Sequence, residues 1–187
     1  IAIKDWLIET NTKGTIRFYG TPAEEGGSGK VYMVRAGLFD DVDAVLHWHP
    51  SSSNAANAES SNSNKSAKFR FTGISAHAAG SPHKGRSALD GVEAMNLMVN
   101  MMREHIPQES RIHYVITKGG LAPNVIPDLA EVYYYVRHPR RDKVQEIFDW
   151  VVEAAKGAAI GTQTKVTYEV MHGNYSKLPN QTLQKIM

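Results

Sequence analysis

Glu24 and Glu25 stand side by side in Thr21-Pro22-Ala23-Glu24-Glu25-Gly26-Gly27-Ser28-Gly29. On a strand, neighbouring carboxylates point to opposite faces, but on a tight turn both can be aimed into one cavity. That arrangement suits a metal site in which one carboxylate binds the ion and the other handles the proton of a metal-bound water. Taken alone the pair is ambiguous, because Glu-Glu pairs are common on solvated surfaces. Its setting adds weight: a β-rich run precedes it, glycines follow it, and His47 and His49 lie downstream. Two residues apart at the end of a predicted strand, these histidines point the same way. They suit shared ligation, or one ligand and a neighbour that orients it by hydrogen bonding. Carboxylate and imidazole donors accept Zn or Mn alike.

The elements that must position these groups follow from periodicity. Gly14 to Gly20 is a short β-rich run bounded by glycines, which predicts a strand. After the carboxylate turn, Val31, Val34 and Leu38 recur at helical spacing, and Gly37 or the Asp40-Asp41 turn ends that helix. Val42 to Trp48 reads as a second strand, so the order is that of a βαβ unit in a parallel sheet. Ligands of such sheets sit beyond the carboxyl ends of the strands, where Glu24-Glu25 and His47-Trp48-His49-Pro50 both fall. The polar, aperiodic run from Ser51 to Ser66 reads as a linker or hinge.

The next stretch predicts a second architecture. Ala67, Phe69 and Phe71 alternate with polar residues as in a strand, and Leu89, Val92, Met95, Val99, Met102 and Ile106 form a helical stripe. Ile112, Tyr114 and Ile116, then Ala130, Val132, Tyr134 and Val136, give two more strands. Val144, Ile147, Phe148, Val151 and Ala155 mark a second helix, and Val166, Tyr168 and Val170 a last strand. The order β-α-β-β-α-β is that of a ferredoxin-like sandwich. Met95, Met98, Met101 and Met102 read as core packing. The expected organisation is therefore an α/β domain at residues 1–64 (with the linker at 51–64), an inserted α+β ferredoxin-like domain at 65–171, and a return into the first domain at 172–187.

Composition narrows the classes. With 187 residues, 42% of them hydrophobic and 21% charged, the chain is ordinary for a globular protein. A net charge of +2 gives no electrostatic argument for a nucleic-acid partner. Without cysteine there is no disulfide and no thiolate zinc site. No apolar run approaches the roughly 20 residues that span a bilayer, so no membrane is expected and a cytoplasmic location is the default. Both ends fall inside helix-like runs, Ile1 to Ile8 and Thr182 to Met187, so the chain reads as a fragment.

Four segments in order now carry a resemblance: Gly20 to Gly29, Leu46-His47-Trp48-His49-Pro50, Gly73-Ile74-Ser75-Ala76-His77-Ala78-Ala79, and Gly120 to Pro127. Together they resemble the aminoacylase/carboxypeptidase-type metallopeptidase family, and within it the aminobenzoyl-glutamate hydrolase branch. The resemblance implies a catalytic α/β domain with an inserted ferredoxin-like lid that dimerises. It also implies Glu24 as the general base and acid, with Glu25 and His49 as metal ligands. His77 matches a lid histidine that reaches into the partner's site to stabilise an oxyanion or hold substrate. Asn124 and Arg137 would grip a substrate amide or carboxylate, and His47 would orient a ligand or be structural. His83, His105, His113, His138 and His172 match no such position and read as solvated.

The implied reaction is metal-dependent hydrolysis of an N-acyl-amino-acid or dipeptide-like amide, p-aminobenzoyl-glutamate being one such substrate, by a homodimer. Further ligands of the family's site have no counterpart in residues 1–187, and two are too few for a tight zinc site. The chain alone is therefore expected to bind metal weakly and to be inactive. Competing readings are a non-catalytic binding or dimerisation module and a relative with a broken site. A regulatory sandwich would need neither the Glu24-Glu25 turn nor His49.

Overall fold

The computed structural model describes residues 1–187, which divide into two compact units, 1–42 and 43–187.

In the first unit, α1 (Ala2–Glu9) and α2 (Gly29–Arg35) are the only regular elements, and no residue is buried. Gly37, in the left-handed region at φ 72°, follows α2, as the glycine stop predicted. The strand expected at Gly14 to Gly20 does not form, nor does the one expected at Val42 to Trp48. The βαβ unit and its parallel sheet are therefore absent from this chain. A strand needs ladder partners as well as β propensity, and apolar runs that find none stay irregular. Phe18 (96% exposed) and Trp48 (82%) show how much apolar surface is left uncovered in these two runs. Instead, Arg17 makes a two-pronged ion pair with Asp41, at 2.6 and 2.5 Å, and the Tyr19 hydroxyl donates to the Leu38 carbonyl.

The second unit holds the predicted β-α-β-β-α-β order. Its elements are β1 (Ser63–Thr72), α3 (Ala88–Met102), β2 (Arg111–Lys118), β3 (Leu129–His138), α4 (Arg141–Gly161) and β4 (Lys165–Asn174), with a short α5 (Gln181–Ile186) after them. The sheet is fully antiparallel in the order β2-β3-β1-β4, so each crossover helix joins strands separated by one neighbour. β1 begins at Ser63, inside the run read as linker, and β4 continues to Asn174, past the boundary drawn at residue 171.

Alternation sorts the sheet into two faces. Ala67, Phe69 and Phe71 of β1 pair with Tyr134, Val132 and Ala130 of β3, and all six are fully buried beneath α3 and α4. Val92, Met95, Val99 and Met102 supply the α3 stripe, and Val144, Ile147, Phe148 and Val151 that of α4. Each large apolar side chain so buried contributes about 1.5–3 kcal/mol, which makes this layer the source of the unit's stability. The one polar pair inside it is satisfied: Tyr134 donates to Asn96 Oδ1 at 2.5 Å, and burial pushes the phenol's pKa up. Two of the four methionines depart from core packing, since Met98 and Met101 are exposed. They turn off the 88/92/95/99/102 stripe, and Met98 lies across the seam to Gly157 of α4.

The chain enters and leaves this domain side by side. Ser176 and Lys177 donate their amides to Ser63 Oγ and Ser61 Oγ, both at 2.9 Å. Further out, Gln184 donates to the Ala56 carbonyl.

Candidate active site

Glu24 and Glu25 occupy a turn closed by the Gly27 amide, which donates to the Ala23 carbonyl at 2.9 Å. Ala23 and Ser28 flank it in the left-handed region, at φ 56° and 51°. Gly29 is required by space, because a Cβ there would lie 2.1 Å from the Pro22 carbonyl oxygen. Gly27 is crowded too, since a Cβ there would lie 2.7 Å from that of Ala23. The turn presents both carboxylates to the outside of the first unit, exposed.

His47 and His49 belong to the second unit, both exposed and on no strand, so the pleat argument for a shared direction does not apply. The His49 ring is nonetheless set. Its Nδ1 lies 2.8 Å from the Pro50 carbonyl, which can only accept, so Nδ1 carries the proton and the Nε2 lone pair is free. That is the form in which imidazole ligates a metal. A complete centre is another matter. No group of three or more His, Asp or Glu side chains is placed to hold a metal ion. A catalytic zinc takes three protein ligands and a structural one four, so the donors of this chain alone do not fit a finished site.

The backbones of His77 and Asn124 are brought side by side. The loop after β1 and the loop between β2 and β3 run antiparallel, bridged at His77 and Val125. Ala78 donates to the Asn124 carbonyl and Ile126 to the Ala76 carbonyl, both at 3.0 Å. An open groove of about 590 Å³ lies beside them, between Ser87, Asp90, Leu121, Ile126 and Pro127. Neither His77 nor Asn124 lines it.

Arg137 is placed elsewhere. It pairs with Asn64 at the far end of β3 from Leu129, where the His77 and Asn124 loops emerge. Eight residues of strand, at about 3.3 Å each, separate the two ends by roughly 26 Å. Its guanidinium sits 5.1 Å over the Tyr135 ring, on the sheet face away from the helices.

That open face holds polar residues whose roles the sequence did not signal. Tyr135 meets His172 Nε2 through its hydroxyl at 3.1 Å, and Tyr133 lies 3.5 Å further along. His172 is half-buried rather than solvated; burial, then the Arg137 charge, lowers its pKa. On the opposite, helix-covered phase of β3, His138 is buried as well, accepting the Arg140 amide at Nδ1. Glu131, the one buried carboxylate, accepts from Thr117 at 2.7 Å and Arg70 at 2.6 Å. Burial raises its pKa, but these hydrogen bonds outweigh it and hold the carboxyl below its usual range. The one available signal was the polar phase of the alternation in Val132-Tyr133-Tyr134-Tyr135-Val136-Arg137.

Residues 60–163 match the peptidase dimerisation domain family, more than half of the chain. The chain is 50% identical over its whole length to a p-aminobenzoyl-glutamate hydrolase subunit of Escherichia coli, covering 39% of that protein. It is 34% identical to Xaa-Arg dipeptidase of Mus musculus, over 88% of this chain and 38% of that one. Among solved structures it resembles an aminobenzoyl-glutamate utilization protein from Klebsiella pneumoniae, with TM-score 0.67 and 25% identity, over 88% of this chain and 43% of that one. The chain thus spans about two fifths of the length of these curated relatives.

Proposed function

Because the chain belongs to the peptidase dimerisation domain family, we propose that the full-length protein is a metal-dependent amidohydrolase acting on an N-acyl amino acid or dipeptide. The observation that carries this reading is the 50% identity to an aminobenzoyl-glutamate hydrolase subunit over the whole of residues 1–187. By that analogy p-aminobenzoyl-glutamate is the first substrate to test. Zn or Mn is the proposed cofactor.

Roles are assigned residue by residue. Glu24 moves the proton: it takes one from the attacking water and returns it to the leaving amine. Glu25, and His49 through its free Nε2, are proposed metal donors, in a centre that other donors must complete. His77 supplies a hydrogen bond to the carbonyl oxygen as it gains charge, and Asn124 and Arg137 bind polar ends of the substrate. One N-acyl amino acid cannot span the roughly 26 Å of strand between the His77 loop and Arg137. This distance favours a homodimer in which His77 of one copy works with Arg137 of the other.

The test is turnover by the full-length protein on a panel of N-acyl amino acids, with Glu24→Gln as control. The variant should lose about 10²–10⁴-fold in kcat while keeping its Tm, since Glu24 is exposed. An unchanged rate would remove Glu24 from the mechanism.

A further inference from the structure

Arg137 stands on the open face of the sheet with its charge unspent. None of the chain's ion pairs involves it, whereas Arg70 on the same face lies on both Glu131 and Glu169. Its cross-strand neighbour Arg111 is turned away, donating to the Gln108 and Ser110 carbonyls at 2.8 and 2.7 Å. What holds Arg137 is a ring. Tyr135, two residues earlier and on the same side of β3, has its ring centroid 5.1 Å from the guanidinium carbon. That ring is hemmed in turn. The His172 ring meets it edge-on, with centroids 5.2 Å apart and planes at 83°, and its Nε2 lies 3.1 Å from the hydroxyl. Tyr133 stands edge-on to it along the strand, with centroids 5.2 Å apart.

Tyr135 and His172 are not on neighbouring strands. β1 runs between theirs, and Ser66 is the residue paired with both. Strands lie about 4.8 Å apart, so two side chains flanking β1 can meet only over a small residue. Ser66 is that residue, and it is fully buried. Stacking and ion pairing leave a guanidinium in different states. A carboxylate takes its N–H groups. A ring covers its flat face and leaves open the in-plane N–H edge, which meets a carboxylate through two parallel hydrogen bonds. We propose that Tyr135, held from the side by His172 over Ser66, is a positioning residue: it sets Arg137 so that the guanidinium edge takes the carboxylate of the N-acyl amino acid. Burial, then the Arg137 charge, disfavours the His172 cation, so above its ordinary pKa of 6.5 the brace stays mainly neutral. The carboxylate role of Arg137 rests on the amidohydrolase reading above; the brace does not.

Crystallography and kinetics of the full-length protein test these parts separately. In crystals of Tyr135→Leu the guanidinium should leave the position it holds over the ring in the wild type. An unmoved guanidinium overturns the brace, whatever the activity. In kinetics on the best N-acyl amino acid of the panel, Arg137→Gln should raise KM about 10–100-fold. Tyr135→Leu should raise it about 2–5-fold with kcat unchanged, and Tyr135→Phe, which keeps the ring face, should restore it. A residue that acts through Arg137 has no effect once Arg137 is gone, whereas an independent loss of packing adds to it. The double variant Tyr135→Leu/Arg137→Gln should therefore match Arg137→Gln. Additive effects, or a fall in kcat with KM unchanged in Tyr135→Leu, overturn the positioning role. Unchanged KM in Arg137→Gln overturns the carboxylate role. No turnover by the wild type overturns the amidohydrolase reading instead, and the crystal comparison still decides the brace.

Discussion

His172 shows how a single residue acquires a pH response from its neighbours. Wedged beside Tyr135 and near Arg137, it is disfavoured as a cation, so its folded pKa lies below the ordinary 6.5. The unfolded chain therefore takes up the proton first as pH falls. The stability this residue contributes is full above about pH 6.5 and is lost as pH drops through the lowered folded value. Thermal unfolding of the wild type should show Tm declining across that window, and His172→Gln should flatten this part of the curve. An identical slope in the variant would place the titration elsewhere. Nothing about His172 in the sequence announces this, because a histidine on an edge strand reads as solvated until its cross-strand neighbours are known. Glu24 and Glu25 are the reverse case. Their turn is legible from glycine, proline and small residues alone, and at Gly29 the close approach of the Pro22 carbonyl demands glycine.

At the scale of elements, α3 approaches β1 closely at Gly91. A Cβ on Gly91 would lie 2.5 Å from the Phe71 ring, and Phe71 is fully buried with nowhere to turn. Gly91→Ala should gain about 1 kcal/mol of helix propensity and lose about 1–3 kcal/mol to overpacking. The net change should be destabilising, read as a lower midpoint in urea; a raised midpoint would mean that α3 can shift. Capping offers a milder case. Ser87 Oγ accepts the Asp90 amide at 3.1 Å, and Ser87→Ala should cost about 0.5–2 kcal/mol on the same measurement. β1, β3, α3 and α4 were legible because each buries its own apolar stripe against the others, whereas Tyr114 and Ile116 of β2 and Tyr168 and Val170 of β4 alternate as strands do but stay exposed. The runs at Gly14–Gly20 and Val42–Trp48 have β-rich composition but no ladder partner, which local sequence cannot reveal. Met98 and Met101 mislead for a related reason: a methionine count carries no helical phase, whereas their positions relative to Val92 and Val99 do.

For the whole molecule, the separation of the His77 loop from Arg137 makes complementation the informative experiment. His77→Ala and Glu24→Gln full-length proteins should each be nearly inactive alone. Mixed dimers of the two should recover up to about one half of wild-type activity if His77 serves the other copy, because one of their two sites is then intact. No recovery in dimers shown to be mixed would assign His77 to its own copy's site. The sequence could suggest such sharing only by resemblance, since a loop histidine carries no sign of which copy it serves. One further consequence comes from the serine ties at the domain's root. Ser61 and Ser63 hold Lys177 and Ser176, so the βαββαβ block begins and ends at one point. A segment with adjoining ends can enter a host chain through a single surface loop, or leave it, with little strain on the gap it opens. Such a block is transferable, and its gene segment can be cut out, re-closed from 177 to 60 and opened at another loop while its sheet keeps the same order.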